Sequence, residues 1–264
     1  MSYRIIDIHT HAWPKKVASR ARDELENVFN TKLIGEPTVS TLLKFMDKNR
    51  IDMSFICAVA TRPEQVTSIN NWLFNIKNDR LGVMCSLHPS FSGWRDEIMR
   101  IKDKGDGIKF QPEFQGFYVD DDKMFYIYEE IEKNELPVIF HCGQELSGTM
   151  LVRSSPQRIR RVIDKFPHMK VIAAHFGGFR MWNEVRKYLL GKDIYVDTAF
   201  FFDYLPKDEI LSLILSHPAD KILFGTDFPL IDQRKDIDAL NNIDIPSDLK
   251  EKIFSSNASF LMSV

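Results

Sequence analysis

The stretch RIIDIHTHAWP, residues 4–14, joins an apolar, β-branched run to two histidines one residue apart. A run of this kind favours a β-strand, and side chains at positions i and i+2 of a strand point to the same face. His9 and His11 therefore direct two imidazoles toward one place. An isolated H-x-H pair is equally compatible with a strand end that carries two solvated or core histidines, so the rest of the chain has to decide.

Runs like this one recur along the whole chain. They alternate with longer amphipathic segments, which is the pattern of parallel strands connected by crossover helices. Eight strands are predicted: RIIDIH (4–9), MSFICAVA (53–60), LGVMCSL (81–87), GIKF (107–110), PVIFH (137–141), KVIAAH (170–175), IYVDT (194–198) and KILFGTD (221–227). The predicted helices include TVSTLLKFMDKN, PEQVTSINNWLFNIKN, GWRDEIMRIKDK, DDKMFYIYEEIEKN, SPQRIRRVIDKF and PKDEILSLILSH, and SDLKEKIFSSNASFLMSV is the eighth.

The number of units predicts the fold class. Eight strand and helix units in 264 residues correspond to about 33 residues per unit, which predicts an α/β fold of the (β/α)8 TIM barrel type. No Pro/Gly/Ser-rich linker or internal repeat divides the chain, so we expect a single barrel domain over residues 1–264. The segments 13–37 and 143–155 are long for connections and are predicted to be lids or pocket walls.

The composition excludes several classes of partner. With 44% hydrophobic residues, 27% charged residues and a formal net charge of -2, the chain offers no basic balance for nucleic acid, and a small-molecule substrate is expected. Cys57, Cys85 and Cys142 form no disulfide framework or C-x-x-C pair, which favours a reducing cytoplasm. We expect neither secretion nor a membrane span. The formation of a homo-oligomer stays open.

Polar residues stand at the carboxyl ends of five predicted strands. In a parallel barrel these ends converge on the rim where barrel enzymes carry their active sites. Neutral imidazoles and a carboxylate are the ligand set of a catalytic zinc or similar divalent ion, which lowers the pKa of water from about 16 to about 7. The sequence therefore predicts a metal site at this rim, near His9, His11, Lys109, His141, His175 and Asp227.

Several motifs together resemble one protein family. The segments IDIHTHAWP, GIKFQPEFQ, PVIFHCG, FPHMKVIAAHFGG, ILFGTDFP and NASFLM resemble successive motifs of the amidohydrolase superfamily, in its amidohydrolase-related branch (amidohydrolase family 2), which includes aminocarboxymuconate-semialdehyde decarboxylase-like proteins. The resemblance covers nearly the full length. It implies that His9, His11, His141 and Asp227 bind the metal. It also implies that His175 lies beside the activated water as an acid, base or polarising group.

Lys109 separates two versions of such a site. In one arm of the superfamily a lysine at the end of strand four carries a carbamate that bridges two metals, whereas other members use an unmodified lysine or none. Carbamate formation needs a neutral amine. We expect one divalent metal, Zn²⁺, with the Lys109 ammonium binding a substrate carboxylate. A second metal with carbamylated Lys109 and a purely structural buried lysine are the alternatives.

Other residues are candidates for a role at the rim or are excluded from one. Arg153, in the loop after strand five, is a candidate for an anionic group of the substrate, although an exposed loop arginine is the plainer interpretation. Asp197 either orients a catalytic group or caps the next loop. His168 and His217 belong to the opposite side of the barrel and are given no role. The aromatic runs 110–118 and 200–204 are predicted pocket walls.

Two enzyme hypotheses use the same residues. The favoured one is a metal-dependent hydrolase that attacks an amide, lactone or ester carbonyl of a small substrate, which can itself be acidic, with activated water. Asp227 then moves the proton and His175 steadies the oxyanion. The second is non-oxidative decarboxylation of a small unsaturated or aromatic acid. A phosphoesterase or nuclease would need an acidic residue in place of Lys109, and a non-catalytic binding barrel would be expected to lack ligands.

Overall fold

The computed structural model describes residues 3–148 and 151–264. Their strands form one parallel sheet in chain order. The strands are β1 Ile6–Thr10, β2 Met53–Cys57, β3 Leu81–Ser86, β4 Gly107–Phe110, β5 Val138–Phe140, β6 Val171–Ala173, β7 Tyr195–Asp197 and β8 Ile222–Leu223. The Ile8 amide donates to the Phe224 carbonyl at 3.0 Å, which joins the end of β8 to β1. The predicted (β/α)8 TIM barrel is confirmed.

Helices follow the strands around the outside of the barrel. They are α1 Lys15–Phe29, α2 Val39–Asn49, α3 Val66–Ile76, α4 Trp94–Lys104, α5 Pro112–Gln115, α6 Asp122–Lys133, α7 Pro156–Lys165, α8 Trp182–Tyr188, α9 Lys207–Leu215, α10 Gln233–Asn241, α11 Ser247–Glu251 and α12 Asn257–Met262. Short 3-10 and π-helical turns occupy Pro63–Gln65 and Lys252–Ser256. Two helix starts are capped by side chains, because Thr38 and Ser155 accept hydrogen bonds from backbone amides inside α2 and α7. No helix in the described part of the chain is long and apolar enough to cross a membrane.

One predicted connection and one predicted helix differ from the structure. The segment 13–37, expected to be a lid or wall, contains the 15-residue helix α1. Only Ala18 of this helix is fully buried, so most of the helix lies at the surface of the barrel. The predicted eighth helix is divided into α11, the π-helical turn and α12.

Several strands end earlier than predicted. The ladder of β6 stops at Ala173, two residues before His175, and that of β8 stops at Leu223, four residues before Asp227. His175 and Asp227 have φ angles of 60° and 63°. A left-handed residue cannot continue a strand. Both side chains therefore leave the sheet on turns at the barrel mouth, and such conformations are concentrated at functional sites.

A bulge in β1 sets the direction of the first histidine. Ile6 and Ile8 belong to an apolar cluster inside the barrel, which α12 closes from below. Simple alternation would place His9 on the opposite face. Between Asp7 and Thr10, however, β1 carries one more residue than β2, and a bulge of this kind re-aims the side chains that follow it. His9 thereby points into the barrel above the apolar plug.

Candidate metal centre

One group of polar side chains converges around Asp227 at the carboxyl end of the barrel. The Asp227 Oδ1 lies 2.8 Å from Nε2 of His11 and 3.9 Å from Nε2 of His9. The Lys109 Nζ lies 3.1 Å from the same His9 nitrogen. His9, Lys109 and Asp227 are buried, and His11 is partly buried. The structure therefore brings residues from β1, β4 and the turn after β8 to one place.

The remaining two predicted histidines complete the cluster on its other side. His175 Nδ1 lies 3.9 Å from Oδ2 of Asp227, and its ring centroid is 5.3 Å from that of His9. His175 Nε2 lies 3.0 Å from Nδ1 of His141. Both rings are buried. All six residues expected at the rim are thus neighbours.

The outer ring nitrogens of three histidines are held by acceptors. His9 Nδ1 is 2.8 Å from Oδ2 of Asp197, His11 Nδ1 is 2.7 Å from the Cys57 carbonyl, and His175 Nδ1 is 3.2 Å from the Ala199 carbonyl. Carbonyl and carboxylate oxygens accept hydrogen bonds, so these Nδ1 atoms donate. A histidine fixed in this way keeps its Nε2 lone pair for a metal.

Asp197 performs both of the roles that its sequence position left open. Its Oδ2 orients His9, while its Oδ1 accepts from the backbone amides of His175 and Ala199 at 2.8 and 3.1 Å. Burial alone would raise the pKa of Asp197, but the facing His9 outweighs burial and lowers that pKa. One ionised carboxylate thus orders a ligand and the turn after β6.

The electrostatics of the cluster suit metal ligands. Burial, reinforced by the Lys109 charge, lowers the pKa of His9 to about 4, so its imidazole is neutral at neutral pH. Burial likewise lowers the pKa of His141 and of His175. For Asp227, burial works in the raising direction, but the facing His9 and His11 hold the pKa well below its usual range. Neutral imidazoles and an ionised carboxylate are the forms that bind a divalent ion.

The donor atoms fit such an ion. His9, His175 and Asp227 form a possible metal site, because one ligand atom from each lies within 4.8 Å of the other two. Asp227 Oδ1 is buried and accepts no hydrogen bond, because the facing His11 Nε2 offers a lone pair when His11 Nδ1 donates to the Cys57 carbonyl. Such an arrangement costs about 1–3 kcal/mol unless a positive group satisfies the oxygen. A divalent cation supplies that group. The ligand set His9, His11, His141 and Asp227 stays a prediction.

Two glutamates that sequence reasoning did not single out lie beside His141: the buried Glu145 and the partly buried Glu113. Glu145, four residues after His141, has its Oε1 3.2 Å from His141 Nε2. Burial, together with the neighbouring Glu113, raises the pKa of Glu145 to about 8. The i, i+4 spacing was the only signal in the sequence, and it is uninformative in a loop. Arg153 lies outside the cluster: its backbone amide donates to Glu113 and its guanidinium lies over Tyr118.

Aromatic rings surround part of the cluster. The His175 ring lies 6.2 Å from that of Phe179 and 5.9 Å from that of Phe200, and the His11 ring lies 6.0 Å from Trp13. The run 200–204 therefore reaches the site, as predicted. The run 110–118 contributes fewer rings to the site, because Phe110 and Phe117 are packed in the outer core.

Known proteins of this fold have related shapes and low sequence identity. The structure is similar to 2,6-dihydroxybenzoate decarboxylase from Rhizobium (16% identity, 99% of both chains, TM-score 0.73). It is also similar to 5-carboxyvanillate decarboxylase from Novosphingobium aromaticivorans, complexed with manganese and 4-hydroxy-3-methoxy-5-nitrobenzoic acid (15%, 100% of this chain and 97% of that one, 0.75). A third is a putative amidohydrolase from Staphylococcus aureus (15%, 99% and 100%, 0.74).

The sequence itself identifies the family. A comparison with curated proteins finds no match. The family model described as Amidohydrolase matches residues 6–261, a span that runs from the first residue of β1 into α12 and includes every residue of the cluster. The chain belongs to the amidohydrolase family.

Proposed function

We propose that this protein is a metal-dependent non-oxidative decarboxylase of a small aromatic or unsaturated acid. The observation that carries the proposal is the environment of Lys109. Its side chain is 1% exposed, it contacts His9, and among the described residues no carboxylate lies within 4 Å of its Nζ. A buried lysine with no carboxylate within 4 Å suits the carboxylate or phenolate of a substrate.

The similar structures support the same reaction. Two of them are decarboxylases of hydroxylated benzoic acids, and one of these holds manganese and a nitrobenzoic acid. The rings of Trp13, Phe179 and Phe200 suit a planar substrate at the mouth of the site. These features favour decarboxylation over the hydrolysis that the sequence favoured.

The chain's own residues would have separate roles in binding the metal and the substrate. His9 and Asp227, together with His11, His141 or His175, would hold the divalent ion, which when bound supplies positive charge that orients the substrate acid and stabilises developing negative charge. Lys109 would hold a second anionic oxygen. The aromatic residues would keep the substrate ring in plane and exclude water.

Proton transfer falls to the histidine pair. In the overall reaction the bond from the substrate carbon to its carboxylate breaks, CO₂ leaves, and the carbon gains a proton in its place. If His175 is not one of the metal ligands, the lone pair of its Nε2, 3.0 Å from His141 Nδ1, accepts a proton from solvent and passes it to that carbon. The step consumes one proton and needs no oxidant.

Hydrolysis of an amide, lactone or ester is the second candidate. The observation in its favour is the same short distance, 3.1 Å, between Lys109 Nζ and His9 Nε2. A carbamate on this lysine would place two further oxygens among the ligand atoms. The putative amidohydrolase among the similar structures carries a name consistent with this reaction.

One experiment separates the two reactions. The protein loaded with Mn²⁺ or Zn²⁺ is offered 2,6-dihydroxybenzoate, 5-carboxyvanillate and the methyl ester of each, in D₂O. We expect CO₂ release from the free acids, with one deuterium on the product carbon, and no release by the metal-free protein. Cleavage of the esters to acids with no CO₂ release would contradict the proposal and favour the hydrolase.

A further inference from the structure

His141 differs from the other histidines of the cluster in how its ring is held. The other three direct Nδ1 outward to a carbonyl or to Asp197. His141 has the reverse orientation, because its Nδ1 faces His175 at 3.0 Å and its Nε2 faces Oε1 of Glu145 at 3.2 Å. The Nε2 atom is buried and has no hydrogen-bond partner in this arrangement. The 3.2 Å separation is within the distance of a hydrogen bond, so the two atoms are near enough to pair.

Glu145 is itself held by a chain of amide side chains. Gln111 Nε2 donates to its Oε1 at 2.6 Å, and the Gln111 backbone amide donates to Gln115 Oε1 at 2.9 Å. Gln115 in turn donates to the carbonyls of Ala60 and Leu87 at 2.9 and 2.6 Å. These residues are buried. The carboxyl group of Glu145 is therefore anchored to the loops after β2 and β3 and to the end of β4, which fixes the position of its acceptor oxygen Oε1.

The adjacent Glu113 is occupied elsewhere. Its Oε1 accepts from the Arg153 backbone amide at 2.8 Å, and both of its oxygens accept from the Ser154 hydroxyl at 3.1 and 3.2 Å. These hydrogen bonds hold Arg153 and Ser154, at the end of the segment 143–155 that also contains Glu145. Of the two glutamates, only Glu145 is free to act on the His141 ring.

We propose that Glu145 is a positioning residue that accepts a hydrogen bond from His141 Nε2 and thereby turns the Nδ1 lone pair toward the metal. A neutral imidazole carries one proton, so pairing it at Nε2 leaves Nδ1 as the ligand atom. Carboxylates that hold a ligating histidine in this way commonly change metal affinity by about 10–100-fold when they are removed. The inference rests on the proposed metal centre and adds a residue to it.

The test measures the tautomer of His141 and the affinity for Zn²⁺. In the zinc-loaded protein, ¹⁵N-resolved NMR of the histidine rings is expected to show His141 protonated at Nε2 and unprotonated at Nδ1. In Glu145→Ala the Nε2 proton signal is expected to shift or broaden, and the Zn²⁺ dissociation constant from chelator competition is expected to rise about 10–100-fold. Glu145→Gln keeps an acceptor oxygen and is expected to restore part of the affinity. Glu113→Gln is the matched control and should leave the tautomer and the affinity unchanged.

Three results would overturn the inference. The first is His141 protonated at Nδ1 in the zinc-loaded wild type, as expected if Glu145 were protonated and donated to Nε2. The second is unchanged Zn²⁺ affinity in a folded Glu145→Ala. The third is a second bound Zn²⁺ that Glu113→Gln and Glu145→Gln both abolish, which would make the glutamates ligands. A chain that bound no zinc at all would overturn the metal centre as well, whereas an inactive protein with the expected tautomer would overturn only the proposed reaction.

Discussion

Oδ2 of Asp197 lies 2.8 Å from Nδ1 of His9, and this contact links the last residue of β7 to the bulged end of β1. Because the other oxygen of Asp197 binds the His175 amide, one carboxylate fixes a ring and the turn that carries a second ring. The two side chains are fully buried, so the geometry of the metal centre depends on this pair more than on any surface contact.

Replacing Asp197 with asparagine should weaken metal binding. An asparagine can present its NH₂ to Nδ1 of His9 and so favour the wrong tautomer, and we expect the Zn²⁺ dissociation constant to rise about 10–100-fold. Chelator competition measures the change. Asp164→Asn, which alters an exposed pair with Arg160, is the control, and equal affinity in the two variants would contradict the orienting role.

Replacing Lys109 with methionine should keep the metal and weaken binding of acidic ligands. Loss of one partner of a buried charge pair typically costs about 2–5 kcal/mol. Calorimetric titration of the metal-loaded variant with 4-hydroxy-3-methoxy-5-nitrobenzoic acid measures it, with the exposed Lys102→Met as control. Loss of half the bound metal would instead indicate a bridging carbamate, and unchanged affinity would leave Lys109 a structural role only.

The histidines should differ in how strongly they hold the metal. The sequence predicts that His9→Ala and His11→Ala lose metal far more than His175→Ala does. The structure also makes His175 a candidate ligand, because His175 is one of the three residues whose ligand atoms lie within 4.8 Å of one another. The metal content of the three variants therefore tests its role. Metal content after dialysis against a weak chelator decides it. Equal loss in all three variants would make His175 a ligand and assign proton transfer to another group.

Much of this site could be predicted because its residues follow strands with a clear apolar pattern. Lys109 and His141 needed only the position of β4 and β5. The direction of His9 was predicted correctly for an incomplete reason, since it depends on a bulge that the alternation of β1 does not reveal. Glu145 was missed because its contact with His141 depends on a loop conformation set by Gln111 and Gln115, and no local period encodes such a contact.

His217, far from the cluster, should make stability depend on pH. Its Nε2 donates to the Ile194 carbonyl at 2.9 Å, and burial lowers its pKa. The unfolded chain takes up the proton near pH 6.5 while the folded chain resists it, so the free energy of unfolding is unaffected above that pH and falls below it. Urea midpoints at about pH 7.5 and about pH 5 should differ less in His217→Gln than in wild type. The exposed His168→Gln should behave as wild type, and a His217→Gln protein with the full pH dependence would contradict the assignment.

The contact between His9 and Asp197 should also be sensitive to Gly225, which follows β8 on the inner face of the barrel. A Cβ at this position would lie 3.0 Å from the His9 Cβ and 3.3 Å from the Asp197 Cβ, tighter than ordinary van der Waals contact, so both side chains must move by a few tenths of an ångström. Metal and catalytic sites must be held within about 0.5 Å of their productive geometry, and shifts of both side chains use up most of that margin. In Gly225→Ala we therefore expect a folded barrel with Zn²⁺ affinity reduced by about 10-fold or more, comparable to the Asp197→Asn effect because the same contact is disturbed. Gly191→Ala, whose added Cβ meets nothing closer than 3.8 Å but is strained by a φ of 74°, controls for a loss of stability that involves no contact with the cluster. If Gly225→Ala bound zinc as tightly as Gly191→Ala, the position of His9 would not depend on the close packing of β1, β7 and the turn after β8.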